Sequence, residues 1–62
     1  MVQATELEMF LYNINLEYLV PLFVYEEIDY ELLSFMTKDD YISIGVNDEE
    51  YNLIIDNLII AG

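Results

Sequence analysis

An all-α domain of five short helices, the last of them the longest, is predicted by three features of this 62-residue chain. Its hydrophobic content is 56%, with six Tyr and three Phe, far too rich for a disordered acidic tail. Its apolar residues fall into short blocks at helical spacing. Residues able to cap a helix stand at the head of these blocks, and neither an internal repeat nor a Gly/Ser linker interrupts them.

The first block opens at Thr5-Glu6-Leu7-Glu8, which has the form of a capping box: hydroxyl and carboxylate each satisfy a backbone donor of the first turn. A helix to about Asn13 follows, with Leu7, Phe10, Leu11 and Ile14 on one face. Asn15 tolerates the left-handed backbone that ends a helix, and Leu16 to Glu27 supplies the second, carrying Leu19, Leu22 and Phe23. Pro21 is acceptable only in a first turn, so this helix starts late or bends there. Asp29 caps a third helix over 30–35, and Thr37-Lys38-Asp39-Asp40 opens a fourth that stops at Gly45. Asn47-Asp48-Glu49-Glu50 reads as a cap followed by acids, which the helix dipole favours in a first turn. In the long helix that begins there, Tyr51, Ile54, Ile55, Leu58 and Ile59 share a core-facing arc, while Leu53 and Ile60 lie opposite.

A chain of this length forms one domain, spanning 1–62, and the size of a single module suggests a piece of a larger protein. Thirteen acids against one base, Lys38, give a formal net charge of −12. Phosphate backbones and anionic membranes repel such a chain, so nucleic acid and membrane are not expected partners, whereas a basic protein surface is. The first six residues lack the order of a signal peptide, and no apolar run approaches the ~20 residues of a membrane span. A soluble intracellular chain, cytoplasmic by default, is expected.

From about Phe10 to Ile59 the sequence resembles the sterile alpha motif (SAM) family. The opening pattern is carried by Phe10-Leu11, Ile14-Asn15-Leu16, Leu19 and Phe23, with Asn15 in place of the usual Gly and Leu19 in place of the usual Tyr. The more specific stretch is ungapped: Ile28-Asp29, Leu32-Leu33, Met36-Thr37, Asp40 and Ile44-Gly45-Val46. Ile28 and Leu32 are expected to be buried, Thr37 to cap and Gly45 to turn the chain into the last helix. Beyond Val46 the family shows Gly-His-Arg and a further base, where this chain has Glu50-Tyr51-Asn52. Either Ile54-Ile55 with Leu58, or Ile55 with Ile59, then occupies the apolar positions.

The resemblance implies a five-helix SAM-like bundle whose work is protein–protein association in a scaffold or regulatory protein. It also implies two candidate docking patches. The mid-loop patch holds Glu26, Glu27, Asp29, Glu31, Asp39 and Asp40; capping explains Asp29 and Asp40 at least as well as docking does, whereas Glu26, Glu27 and Glu31 have no clear capping task. The end-helix patch holds Val46, Asn47, Asp48, Glu49, Glu50 and Tyr51. Both are acidic, and like charges across an interface cost several kcal/mol, which disfavours head-to-tail homopolymers. Homo-oligomers would rest instead on apolar contacts at Tyr30, Ile42, Leu53 and Ile60, residues that are equally well read as scattered surface apolars. An acidic mimic of nucleic acid, seated in a basic protein groove, is the alternative function.

Catalysis has little to work with. There is no His and no Cys, and the lone Lys sits among acids, so no enzyme activity and no cofactor are expected. The acids from Asp39 to Glu50 miss the ligand spacing of a calcium loop, because Ile42 and Ile44 stand where oxygen donors belong.

Overall fold

The computed structural model describes residues 5–61, with side chains described through Ile59. It is all-α: α1 (Glu6–Asn13), a single 3-10 turn (Glu17–Leu19), α2 (Val20–Tyr25), α3 (Tyr30–Leu33), α4 (Lys38–Ile44) and the longer α5 (Asp48–Ala61).

Local chemistry sets each start. The Thr5 hydroxyl accepts the Glu8 N–H at 3.2 Å while the Glu8 carboxylate receives the Thr5 N–H at 3.4 Å, completing the capping box of α1. Pro21 occupies the first turn of α2, where its missing N–H costs nothing, and the 3-10 turn takes up the preceding residues. The second block therefore starts late, as the Pro requires. Asp29 accepts the Leu32 N–H at 2.8 Å and starts α3. Thr37 and Asp40 form a second capping box at α4. Asn47 and Glu50 exchange the same pair of bonds at the head of α5, at 2.8 and 3.0 Å.

Three left-handed residues turn the chain between these elements: Asn15 at φ 62°, Glu27 at φ 58° and Gly45 at φ 110°. Each follows a helix and lets the next buried residue fold back. Leu16 N–H reaches the Leu11 carbonyl, Ile28 N–H the Phe23 carbonyl, and Val46 N–H the Tyr41 carbonyl, all within 2.8–3.0 Å.

The core gathers one or two side chains from every element: Leu7, Leu11, Leu16, Leu19, Phe23, Ile28, Leu33, Tyr41, Val46 and Ile54. Half-buried Phe10, Ile14 and Leu22 pack against it, as do Tyr51, Ile55 and Leu58 of α5. Two expectations are corrected here. Leu32 is 40% exposed and Leu33 is fully buried in its place, because α3 is only four residues long and its capping by Asp29 points Tyr30 and Leu33 inward. Ile59 is 74% exposed, so the inner face of α5 runs through Ile54, Ile55 and Leu58 and leaves the core before its last turn. Among the described residues, no helix is long and apolar enough to cross a membrane.

Candidate functional site

The six carboxylates of the mid-loop patch divide by what they do inside the fold. Asp29 caps α3, and Asp40 receives the Thr37 N–H at 3.0 Å, so both are committed to backbone donors. Glu26, Glu27, Glu31 and Asp39 are exposed, and their side chains make no hydrogen bond among the described residues. Glu26 and Glu27 follow α2 directly, and Glu31 lies in the first turn of α3. The chain's one base is engaged elsewhere: Lys38 Nζ lies 3.5 Å from Asp48 and 5.8 Å from the centre of the Tyr51 ring.

A groove of about 400 Å³ runs between the start of α1 and the α2–α3 turn. Leu7, Val24, Ile28 and Tyr30 contribute its apolar part; Glu6, Glu8, Glu27, Asp29 and Glu31 place carboxylates around them, of which Glu8 and Asp29 already accept backbone N–H groups as caps. Glu6 and Glu8 are the residues that the sequence reading missed. Their only local signal is the capping box, and nothing in the sequence sets them beside Glu27 and Glu31. The arrangement suits the aliphatic stem and cationic head of an Arg or Lys side chain.

The end-helix patch is for the most part structural. Val46 is only 2% exposed and belongs to the core, which corrects its assignment as a docking residue: the Gly45 turn folds it back onto Tyr41. Glu50 is half-buried and doubly engaged, with Oε1 receiving the Asn47 N–H and Oε2 receiving the Tyr18 hydroxyl proton at 2.5 Å. That hydrogen bond, followed by partial burial and the nearby negative charge, raises the Tyr18 pKa above its ordinary value of 10.0. Tyr51 is half-buried with its ring edge-on to Tyr41 at 5.2 Å. Only Asn47, Asp48 and Glu49 are exposed, and Asn47 is the cap.

Of the proposed apolar contacts, Tyr30 is half-buried and meets Phe10 edge-on at 5.3 Å, so it stabilises the packing of α3 on α1. Ile42 and Leu53 are exposed, on α4 and α5. Ile60 lies outside the described residues. Tyr25 and Phe35, which no periodicity singled out, are far more exposed, at 82% and 76%.

No family model, characterised protein or solved structure matches the chain.

Proposed function

We propose that this chain is a non-catalytic protein-interaction module of the SAM type, which docks a basic protein surface through the acids around the α2–α3 turn. The observation that carries the reading is the division of labour among the carboxylates. Asp29, Asp40 and Glu50 satisfy donors within the fold, whereas among the described residues the side chains of Glu26, Glu27, Glu31 and Asp39 have neither a hydrogen bond nor an ion pair. Carrying these carboxylates, Glu27 and Glu31 of them on one groove, on a chain of net charge −12 costs self-repulsion, and a partner supplying Lys or Arg would relieve it.

The SAM assignment draws on positions with separate structural tasks: Ile28 and Val46 in the core, Thr37 as cap and Gly45 as the left-handed turn into the last helix. The absence of a basic last-helix start makes the partner heterotypic, a domain or segment that brings its own positive charge. Apolar contact would hold what charge has steered.

The test is a binding titration against SAM domains whose last helix begins with basic residues. Binding that weakens with salt, and that is lost when Glu26, Glu27 and Glu31 are all changed to Lys with helicity intact, supports the reading. Binding that persists unchanged in the triple variant overturns it. Displacement of the bound partner by an oligonucleotide would favour the nucleic-acid mimic instead.

A further inference from the structure

Six tyrosines sit in this small fold, and five of them are occupied or poorly placed for modification. Tyr41 is buried, Tyr30 and Tyr51 are half-buried in edge-on aromatic pairs, and the Tyr18 hydroxyl is bonded to Glu50. Tyr12 is exposed, but Asn13, Ile14 and Asn15 follow it, with no carboxylate. Tyr25 is the most exposed tyrosine among the described residues, and three of its properties favour modification. Its side chain is 82% exposed, its hydroxyl has no hydrogen-bond partner among the described residues, and Glu26 and Glu27 come immediately after it.

Its position in the fold adds a consequence. Tyr25 is the last residue of the six-residue α2, and the turn beyond it holds Glu27 in the left-handed region, which disfavours any side chain with a Cβ. Three backbone bonds close this end: Glu26 N–H to Leu22, Glu27 N–H to Val24 and Ile28 N–H to Phe23. A helix C-terminus carries partial negative charge, so a phosphate there is repelled by the dipole and by both glutamates.

We propose that Tyr25 is the acceptor of a protein-tyrosine kinase, and that its phosphorylation turns the α2–α3 connection into a docking segment for a phosphotyrosine-reading domain. In the transfer, the Tyr25 oxygen bonds to the γ-phosphorus of a magnesium-bound nucleoside triphosphate. The bond to the β–γ bridging oxygen breaks, the nucleoside diphosphate leaves, and the phenolic proton passes to the kinase's catalytic base. The product adds about −1.5 to −2 charge at pH 7, followed at once by two carboxylates. Such a segment fits a domain that reads phosphate through an Arg cluster. The loosened turn also frees Ile28, now buried, as an apolar contact for that domain.

The test uses the 62-residue chain, a purified tyrosine kinase that prefers acidic substrates, and magnesium ATP. Mass spectrometry is expected to place most of the phosphate on Tyr25, and Tyr25→Phe to lose it. In the phosphorylated protein, amide hydrogen exchange at Glu26, Glu27 and Ile28 should accelerate relative to Tyr41 and Val46. A phosphotyrosine-reading (SH2) domain should bind the phosphorylated chain, but not the unmodified chain, and lose binding when its phosphate-holding Arg is replaced. Phosphate placed chiefly on another tyrosine, or no incorporation, overturns the acceptor assignment. Unchanged exchange together with no SH2 binding overturns the docking role. Neither outcome bears on the acidic-surface reading, which concerns the unmodified chain.

Discussion

The hydroxyl of Tyr41 donates a 2.7 Å hydrogen bond to the backbone carbonyl of Leu33, in the fully buried centre of the domain. Leu33 ends α3, and its carbonyl has no partner in a following helical turn, so a side chain from α4 satisfies it. One bond thus closes the end of α3 and fixes how α4 sits on it. Replacing Tyr41 by Phe keeps the ring and strands the carbonyl. A loss of ~1–2 kcal/mol in urea unfolding is expected. Loss of less than the scatter of such measurements would mean that water replaces the hydroxyl.

The same burial, reinforced by the adjacent Tyr51, pushes the Tyr41 pKa up from 10.0 to about 12. Its proton is therefore held more tightly in the folded than in the unfolded chain. Stability from this group is fully present below pH 10 and is lost as pH rises from 10 through about 12, amounting to roughly 2–3 kcal/mol. Unfolding free energy measured across that window should fall in the wild type and fall less in Tyr41→Phe.

Gly45 and Glu27 share the left-handed region, and opposite substitutions should move stability in opposite directions. A Cβ built on Gly45 meets nothing within 4 Å, so Gly45→Ala is costly through backbone conformation alone, by ~1 kcal/mol. Glu27→Gly removes a strained side chain and one charge from an acidic turn, and should stabilise by about 0.5–1 kcal/mol. Thermal unfolding of the two variants checks both signs.

How much of this was legible in the sequence depended on range. Thr5 with Glu8, Thr37 with Asp40 and Asn47 with Glu50 are three residues apart, and their caps formed as the residue types require. Asn15 and Gly45 likewise signalled left-handed turns, whereas Glu27 carried no such signal. The choice between Leu32 and Leu33 was out of reach, since a four-residue helix is too short for periodicity to set its phase. Ile59 fits the apolar arc of α5, but only packing decides where that helix leaves the core. The Tyr18–Glu50 bond joins residues 32 apart, and the groove that sets Glu6 and Glu8 beside Glu31 has the same long-range origin. Residue type and spacing already marked Asp29 and Asp40 as caps; what needed the fold was the engagement of Glu50 by Tyr18 and the placing of Glu6 and Glu8 beside Glu31.

Lys38 is the chain's one base, yet its bridge to Asp48 is solvent-exposed on both sides. Lys38→Gln should cost no more than ~0.5 kcal/mol, because exposed pairs contribute little. The general repulsion of the acids is the larger effect. Melting temperature should rise with sodium chloride as the screening length falls from ~30 Å at 0.01 M to ~3 Å at 1 M. A flat or falling salt dependence would contradict a repulsive acidic surface.

The most direct measurement is calorimetric titration of this chain with SAM domains whose last helix begins with basic residues, at low and high salt, beside the variant with Glu26, Glu27 and Glu31 changed to Lys. The expected result is saturable binding to the wild type that weakens as salt rises and disappears in the variant, whose circular dichroism matches the wild type. Heat absent for every basic partner, or equal affinity in wild type and variant, would contradict docking through the α2–α3 acids.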